Sequence, residues 1–191
     1  MDKKREHIKE MFPRISDIED PEIREKVVSV WLEAWTGSDF DRIEDAGQWE
    51  PIKETLTISN VEHTNQVVEC GIAMAEVVER EQGVKINKDT LIAAAILHDV
   101  DKLLIFHEAS GTTTQMGSKL AHTAIGSHLA LKAGLPLEIA HAIGSHSSNY
   151  STISPRTPEA VILYHADHAL TQMWAISRNI DLSFVMKKGS E

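Results

Sequence analysis

The chain has 191 residues, 42% hydrophobic and 25% charged, with a formal net charge of −10. That length supports one sizeable apolar core, and the acidic balance argues against a nucleic-acid polymer as partner, because such binders present a basic face. One cysteine, Cys70, leaves no internal disulfide, no stretch approaches the roughly 20 apolar residues of a membrane helix, and residues 1–6 lead into no signal segment; a cytoplasmic protein without membrane contact is expected.

The pattern is helical almost throughout. Residues 1–12 form a short helix ending before Pro13. Asp20-Pro21 opens the next, with Asp as N-cap and Pro in the first helical position. It runs to about Thr36, with Ile23, Val27, Val30, Trp31 and Trp35 as an apolar stripe. Residues 38–58, with Gly47, Trp49 and Pro51, are irregular with short helical pieces. A long helix starts near Ser59-Asn60 and ends near Gly83, with His63 in its first turns. Asn87 or Asp89 caps a helix reaching about Asp99.

Residues 103–117 read as a loop in which Leu103-Leu104-Ile105-Phe106 is the one run that could be extended. Ser118 caps a helix from about Lys119 to Lys132, stopped by Gly134. Pro136 opens another to about His146, residues 147–158 form a loop, and a last helix covers roughly 158–176. The tail 177–191 is polar and loosely held. No convincing strand alternation exists, so the fold class is all-α, an irregular helical bundle around one core.

Ten histidines are present, and their placement on helices and helix ends is the informative part. His98-Asp99 closes the apolar run 91–97. A polar pair ending a buried helix is costly unless compensated, and a bound divalent ion would compensate it. His63, His98, Asp99 and Asp167 all sit on predicted helices or at their ends, among apolar neighbours. Mixed imidazole and carboxylate holds divalent ions of moderate hardness.

His63, then His98-Asp99, then Asp167 resembles the pattern of the HD-domain superfamily of metal-dependent phosphohydrolases. The segment 122–126 resembles the stretch in which many members place a further ligating His. The helix end 142–146 resembles the one carrying a second. The resemblance implies one or two divalent ions (Fe, Mn, Co, Ni, Zn or Mg). His63, His98, Asp99 and Asp167 would hold the first, Asp99 would bridge, and His122 and His146 would hold the second. It further implies hydrolysis of a small phosphoester, a nucleotide among the candidates, by metal-activated hydroxide.

Lys102 resembles the Lys of the family's HD-x-x-K stretch, so Asp99 and Lys102 are the expected catalytic pair. Asp101 stands where relatives often carry a small residue; it either orients a His ligand or neutralises Lys102. His165 and His168 share a helix face and, with His107, are candidates for substrate contact. His7 is expected to face solvent, and Glu62 likewise. On this reading residues 1–55 are an N-terminal helical extension packed on the core, 56–176 the metal-binding catalytic domain and 177–191 the tail. Two other functions fit the same ligands: a di-iron oxygenase and a non-catalytic metal-binding regulatory module. Homo-oligomerisation is left open.

Overall fold

The computed structural model describes residues 2–48 and 58–180. Trp49, Pro51, the 55/56 boundary and residues 181–191 of the expected tail lie outside the described residues. Eight α-helices are present among those described: α1 (Asp2–Met11), α2 (Pro21–Gly37), α3 (Asn60–Gln82), α4 (Lys88–Leu97), α5 (Lys102–Ile105), α6 (His122–Lys132), α7 (Leu137–Ser145) and α8 (Pro158–Ser177). Short 3-10 turns follow α1 and α2. The fold is all-α; the described residues pair in extended fashion only at isolated bridges, Gly47 with Ser59 and Phe106 with Thr113.

Local chemistry explains the helix ends. Asp20 accepts from the backbone N–H groups of Glu22 and Ile23 at the start of α2, with Pro21 in the first turn. The Asn87 side chain accepts from Thr90 N at 3.0 Å to open α4. Thr157 does the same for Ala160 at 3.2 Å in α8. Gly83 ends α3 in the left-handed region, at φ 65°, where an L side chain would be strained.

Helix α4 is the centre of the molecule. All of Thr90–Leu97 is buried, so this helix reads as apolar all round rather than amphipathic. Helices α2, α3, α7 and α8 each pack against it. Trp31 of α2 is fully buried and donates from Nε1 to the carbonyl of Ile96 at 3.1 Å. That bond satisfies one of the last carbonyls of α4, which has no partner inside its own helix. Ile8 of α1, Val27 of α2, Ile96 of α4 and Leu163 of α8 belong to one continuous apolar cluster, so the first two helices share the core of the rest.

Two expectations are corrected. Leu103–Ile105 is helical rather than extended, because the N–H groups of Leu104 and Ile105 both bond back to the carbonyl of Asp101. Helix α6 starts at His122, with Ala121 rather than Ser118 at its cap. Ser118 instead bonds the carbonyl of Gln115 at 2.9 Å, and the N–H of Leu120 bonds Met116 at 3.0 Å. The residues before α6 are thereby used up in a chain of tight turns. Gly117 sits in those turns so close to α5 that an added Cβ would lie 2.8 Å from Cβ and O of Ile105.

His7 also departs from expectation. It is half-buried, bonds Glu44 through Nε2 at 2.9 Å and lies 5.5 Å from the Trp35 ring. The contact ties α1 to the 3-10 turn Ile43–Asp45 that precedes Gln48. No helix among the described residues is long and apolar enough to cross a membrane.

Candidate metal centre

The C-termini of α4 and α7 aim imidazoles at one point. His98 follows α4 and bonds the carbonyl of Ala95 through Nδ1 at 2.7 Å. His146 follows α7 and bonds the carbonyl of Ile143 through Nδ1, also at 2.7 Å. A carbonyl only accepts, so Nδ1 is the protonated nitrogen in both rings. Nε2 is left facing inward. The Nε2 atoms stand near opposite oxygens of Asp99: His98 3.3 Å from Oδ2, His146 3.6 Å from Oδ1.

The remaining expected ligands converge on the same place. His63 in the first turn of α3 meets Asp167 in the middle of α8, Nε2 to Oδ1, at 3.0 Å. His122, the first residue of α6, places Nδ1 3.3 Å from Asp99 Oδ1. Three groups of donor atoms result, each within 4.8 Å of one another: His63 with His98 and Asp167, His98 with Asp99 and His146, and Asp99 with Asp101 and His122. All six residues expected as ligands are therefore assembled, with Asp99 in the middle.

Their buried polar atoms fit a divalent ion. His98 Nε2, Asp99 Oδ1, His122 Nδ1 and both oxygens of Asp101 are buried without a hydrogen-bond partner among the described residues. Such groups are costly to leave unpaired, and cations placed among these groups would engage them. The donor chemistry, imidazole plus carboxylate, suits Fe, Mn, Co, Ni or Zn.

Electrostatics follow from this crowding. Burial alone would raise the Asp99 carboxyl. Lys102, His98 and bonds from His122 and His146 instead hold it well below the usual carboxylate range. Burial is likewise overcome at Asp167, where His63 and His98 keep the group ionised. Burial disfavours a charge on His98, but Asp99 and Asp167 push it up to about 9. At His146 burial prevails over Asp99 and the ring is pushed toward neutrality. Lys102 is buried, yet the Asp99 and Asp101 charges raise it above its ordinary value.

A cavity of about 400 Å³ opens onto the centre. Asp99, Lys102, His122, His146 and Asp167 line its polar end. Ile105, Phe106, Leu120 and Tyr150 line an apolar wall. Lys102 Nζ lies 3.7 Å from Asp99 Oδ1 and projects into this space. His168 also lines it, with Nδ1 on the carbonyl of Tyr164 at 2.7 Å and Nε2 accepting from Ser148. The loops around 113 and 147–150 contribute Thr113, Ser147 and Asn149.

Two of the histidines expected near substrate are not brought to the cavity. His107 is exposed and bonds Asp39 at 3.0 Å. His165 shares the helix with His168 but is exposed, its ring edge-on to Tyr164 at 5.2 Å. Neither lines the cavity. Glu62 is exposed, as expected.

Two residues given no functional role in the sequence analysis do reach the centre. Gln48 is buried and donates from Nε2 to Asp99 Oδ2. Its placement comes from main-chain bonds, Gln48 N to Ile58 O at 3.0 Å and Asn60 N to Ala46 O at 2.8 Å. Asn60, fully buried, donates from Nδ2 to the backbone carbonyl of Asp99 at 3.0 Å. Neither lies in a periodic pattern or a metal-type spacing. The only signal at Asn60 was its place beside a helix start.

Comparison with known proteins agrees with this geometry. The profile of the HD domain family matches residues 60–171. The chain belongs to the HD domain family. It is 32% identical over 111 residues to the dihydroneopterin 2',3'-cyclic phosphate phosphodiesterase of Methanocaldococcus jannaschii, a match covering 57% of this chain and 45% of that one. The chain thus spans less than half the length of that relative. No solved structure matches.

Proposed function

We propose that this protein is a metal-dependent phosphohydrolase that cleaves a small phosphoester. The observation carrying the proposal is the position of Asp99: its two oxygens face buried, inward-aimed imidazoles, Oδ2 facing His98 and Oδ1 facing His122 and His146. His63, His98, Asp99 and Asp167 would hold one divalent ion, and Asp99, His122 and His146 a second. Ions bound there supply Lewis acidity toward phosphate oxygens and activate water at neutral pH.

The side chains have distinct tasks. Lys102 stays charged in a buried position beside Asp99, which suits it to bind a phosphate oxygen and stabilise charge that develops on it. Gln48 and Asn60 hold the side chain and backbone of Asp99. The apolar wall of Ile105, Phe106, Leu120 and Tyr150 would receive the organic part of the ester and exclude water from it. A 2',3'-cyclic phosphate is the first substrate class to try, because that is what the M. jannaschii relative is named for; nucleotides are the second. The relative's activity supports hydrolysis over the oxygenase and non-catalytic readings of the same ligands.

The test is a panel of cyclic phosphodiesters and phosphomonoesters assayed with Mn, Co, Ni, Zn, Mg and anaerobic Fe(II), using protein first stripped with chelator. Metal-dependent ring opening of a cyclic diester to its phosphomonoester, or release of phosphate from a monoester, by the wild type and absent in Asp99→Ala, is expected. Oxygen-dependent turnover with iron and no hydrolysis of any ester would contradict the proposal.

A further inference from the structure

Asp101 has no place in the ligand set described above, yet it is among the most confined charges in the protein. It is fully buried. Neither of its carboxylate oxygens has a hydrogen-bond partner among the described residues. His122 Nδ1 is 3.8 Å from Oδ1, beyond hydrogen-bond reach, and is itself buried without a hydrogen-bond partner. Lys102 follows it in sequence but pairs with Asp99 at 3.7 Å. A carboxylate so placed is expensive unless paired.

The geometry around it is that of a cation site. One oxygen each of Asp99 and Asp101 and one His122 nitrogen lie within 4.8 Å of one another. The separations of 3.3 Å from His122 to Asp99 and 3.8 Å from His122 to Asp101 fit within the ~4 Å that separates opposite ligands of an ion with bonds of about 2.0–2.2 Å. Helix α6 can come this near because residue 126 is glycine. An added Cβ there would lie 3.0 Å from Ile143 Cγ2 and 3.7 Å from Asp101 Oδ1.

We propose that Asp101 is a direct ligand of the second divalent ion, so that this ion is held by two carboxylates, Asp99 and Asp101, and two imidazoles, His122 and His146. The inference rests on the two-ion reading of the site. Its consequence is an evenly matched pair. Each ion then has two imidazoles, a share of Asp99 and one carboxylate of its own, Asp167 for the first and Asp101 for the second, and the added carboxylate makes the second set harder than Asp99, His122 and His146 alone.

The experiment is a calorimetric titration of chelator-stripped protein with Mn(II), comparing wild type with Asp101→Asn, alongside thermal melts of each protein with and without the ion. Two binding steps are expected in the wild type. In Asp101→Asn the second weakens at least tenfold, and the first stays within about threefold. The metal-free variant melts higher than wild type because a buried unpaired charge is gone, while the loaded variant melts lower. Direct ligation is read separately with Asp101→Cys and Cd(II). A thiolate-to-cadmium charge-transfer band is expected, absent from the wild type with its lone Cys70. Unchanged Mn(II) steps in Asp101→Asn, or no such band in a folded Asp101→Cys, overturn the role of Asp101. A wild type that binds one ion or none overturns the two-ion reading itself.

Discussion

His98 bonds the carbonyl of Ala95 through Nδ1 at 2.7 Å, and this fixes which nitrogen faces Asp99. The carbonyl is free to accept because α4 ends at Leu97, and the last carbonyls of a helix have no partner within it. His146 repeats the arrangement with Ile143 at the end of α7. Two helix ends thus use free backbone acceptors to orient the two imidazoles, as a group behind a ligating imidazole does.

The proposed division of the ligands into two sets gives the first prediction. His146→Ala should lose the second Mn(II) and keep the first. Asp167→Ala should weaken the first, because the His63, His98 and Asp167 group loses its only carboxylate. Metal content per chain after dialysis at graded Mn(II) concentrations measures both. Loss of both ions in both variants would mean that the sets are not separable.

Gln48 gives the second. It holds Asp99 through Oδ2 without belonging to either ligand set. Gln48→Leu keeps the bulk and removes the donor. Metal affinity and kcat/KM should each fall by about 10- to 100-fold, as for other groups that orient ligands. Helical content measured by circular dichroism should not change. Wild-type metal affinity in Gln48→Leu would show that Asp99 needs no such support.

Trp31 tests how α2 is attached to the core. Trp31→Phe leaves the Ile96 carbonyl without its 3.1 Å donor and leaves a small void. A cost of about 1–3 kcal/mol in urea unfolding is expected. Trp31→Ala should cost about 3–5 kcal/mol. Values near zero would place α2 outside the cooperative unit.

Glu44 provides a pH-dependent test away from the metal centre. Burial works to raise its carboxyl, but the His7 and Arg42 contacts lower it from 4.5 to about 2. A carboxyl lowered by folding contributes stability that is present above its unfolded value and lost as pH falls through its folded one. The melting-temperature gap between wild type and Glu44→Gln should therefore be full near neutral pH and shrink between about pH 4.5 and pH 2. A gap that widens on acidification would reverse the assignment.

What could be read from the sequence divides along physical lines. Helices α2, α3 and α4 were legible because their ends are set by neighbours in the chain: Asp20 and Pro21, Gly83, and Asn87. The six candidate ligands could be named because their order along the chain resembles the HD pattern, and the fold brings their side chains together. Helix α5 and the late start of α6 were not, since both depend on turns around residues 101–120 that close against the core. Gln48 and Asn60 were missed because main-chain bonds between residues 46–48 and 58–60 bring them to Asp99. His107 and His165 looked equivalent to His168 in spacing or composition, and only packing separates them. Asp101 was noticed as unusual, but its burial and its unpartnered oxygens required the fold.

The sharing of Asp99 between two ions is tested most directly by electron paramagnetic resonance of the Mn(II)-loaded wild type. A carboxylate bridge couples the spins, so the multiline spectrum of an exchange-coupled Mn(II) pair is expected, collapsing to that of isolated Mn(II) in Asp99→Asn. Only isolated Mn(II) in the fully loaded wild type would contradict the bridge.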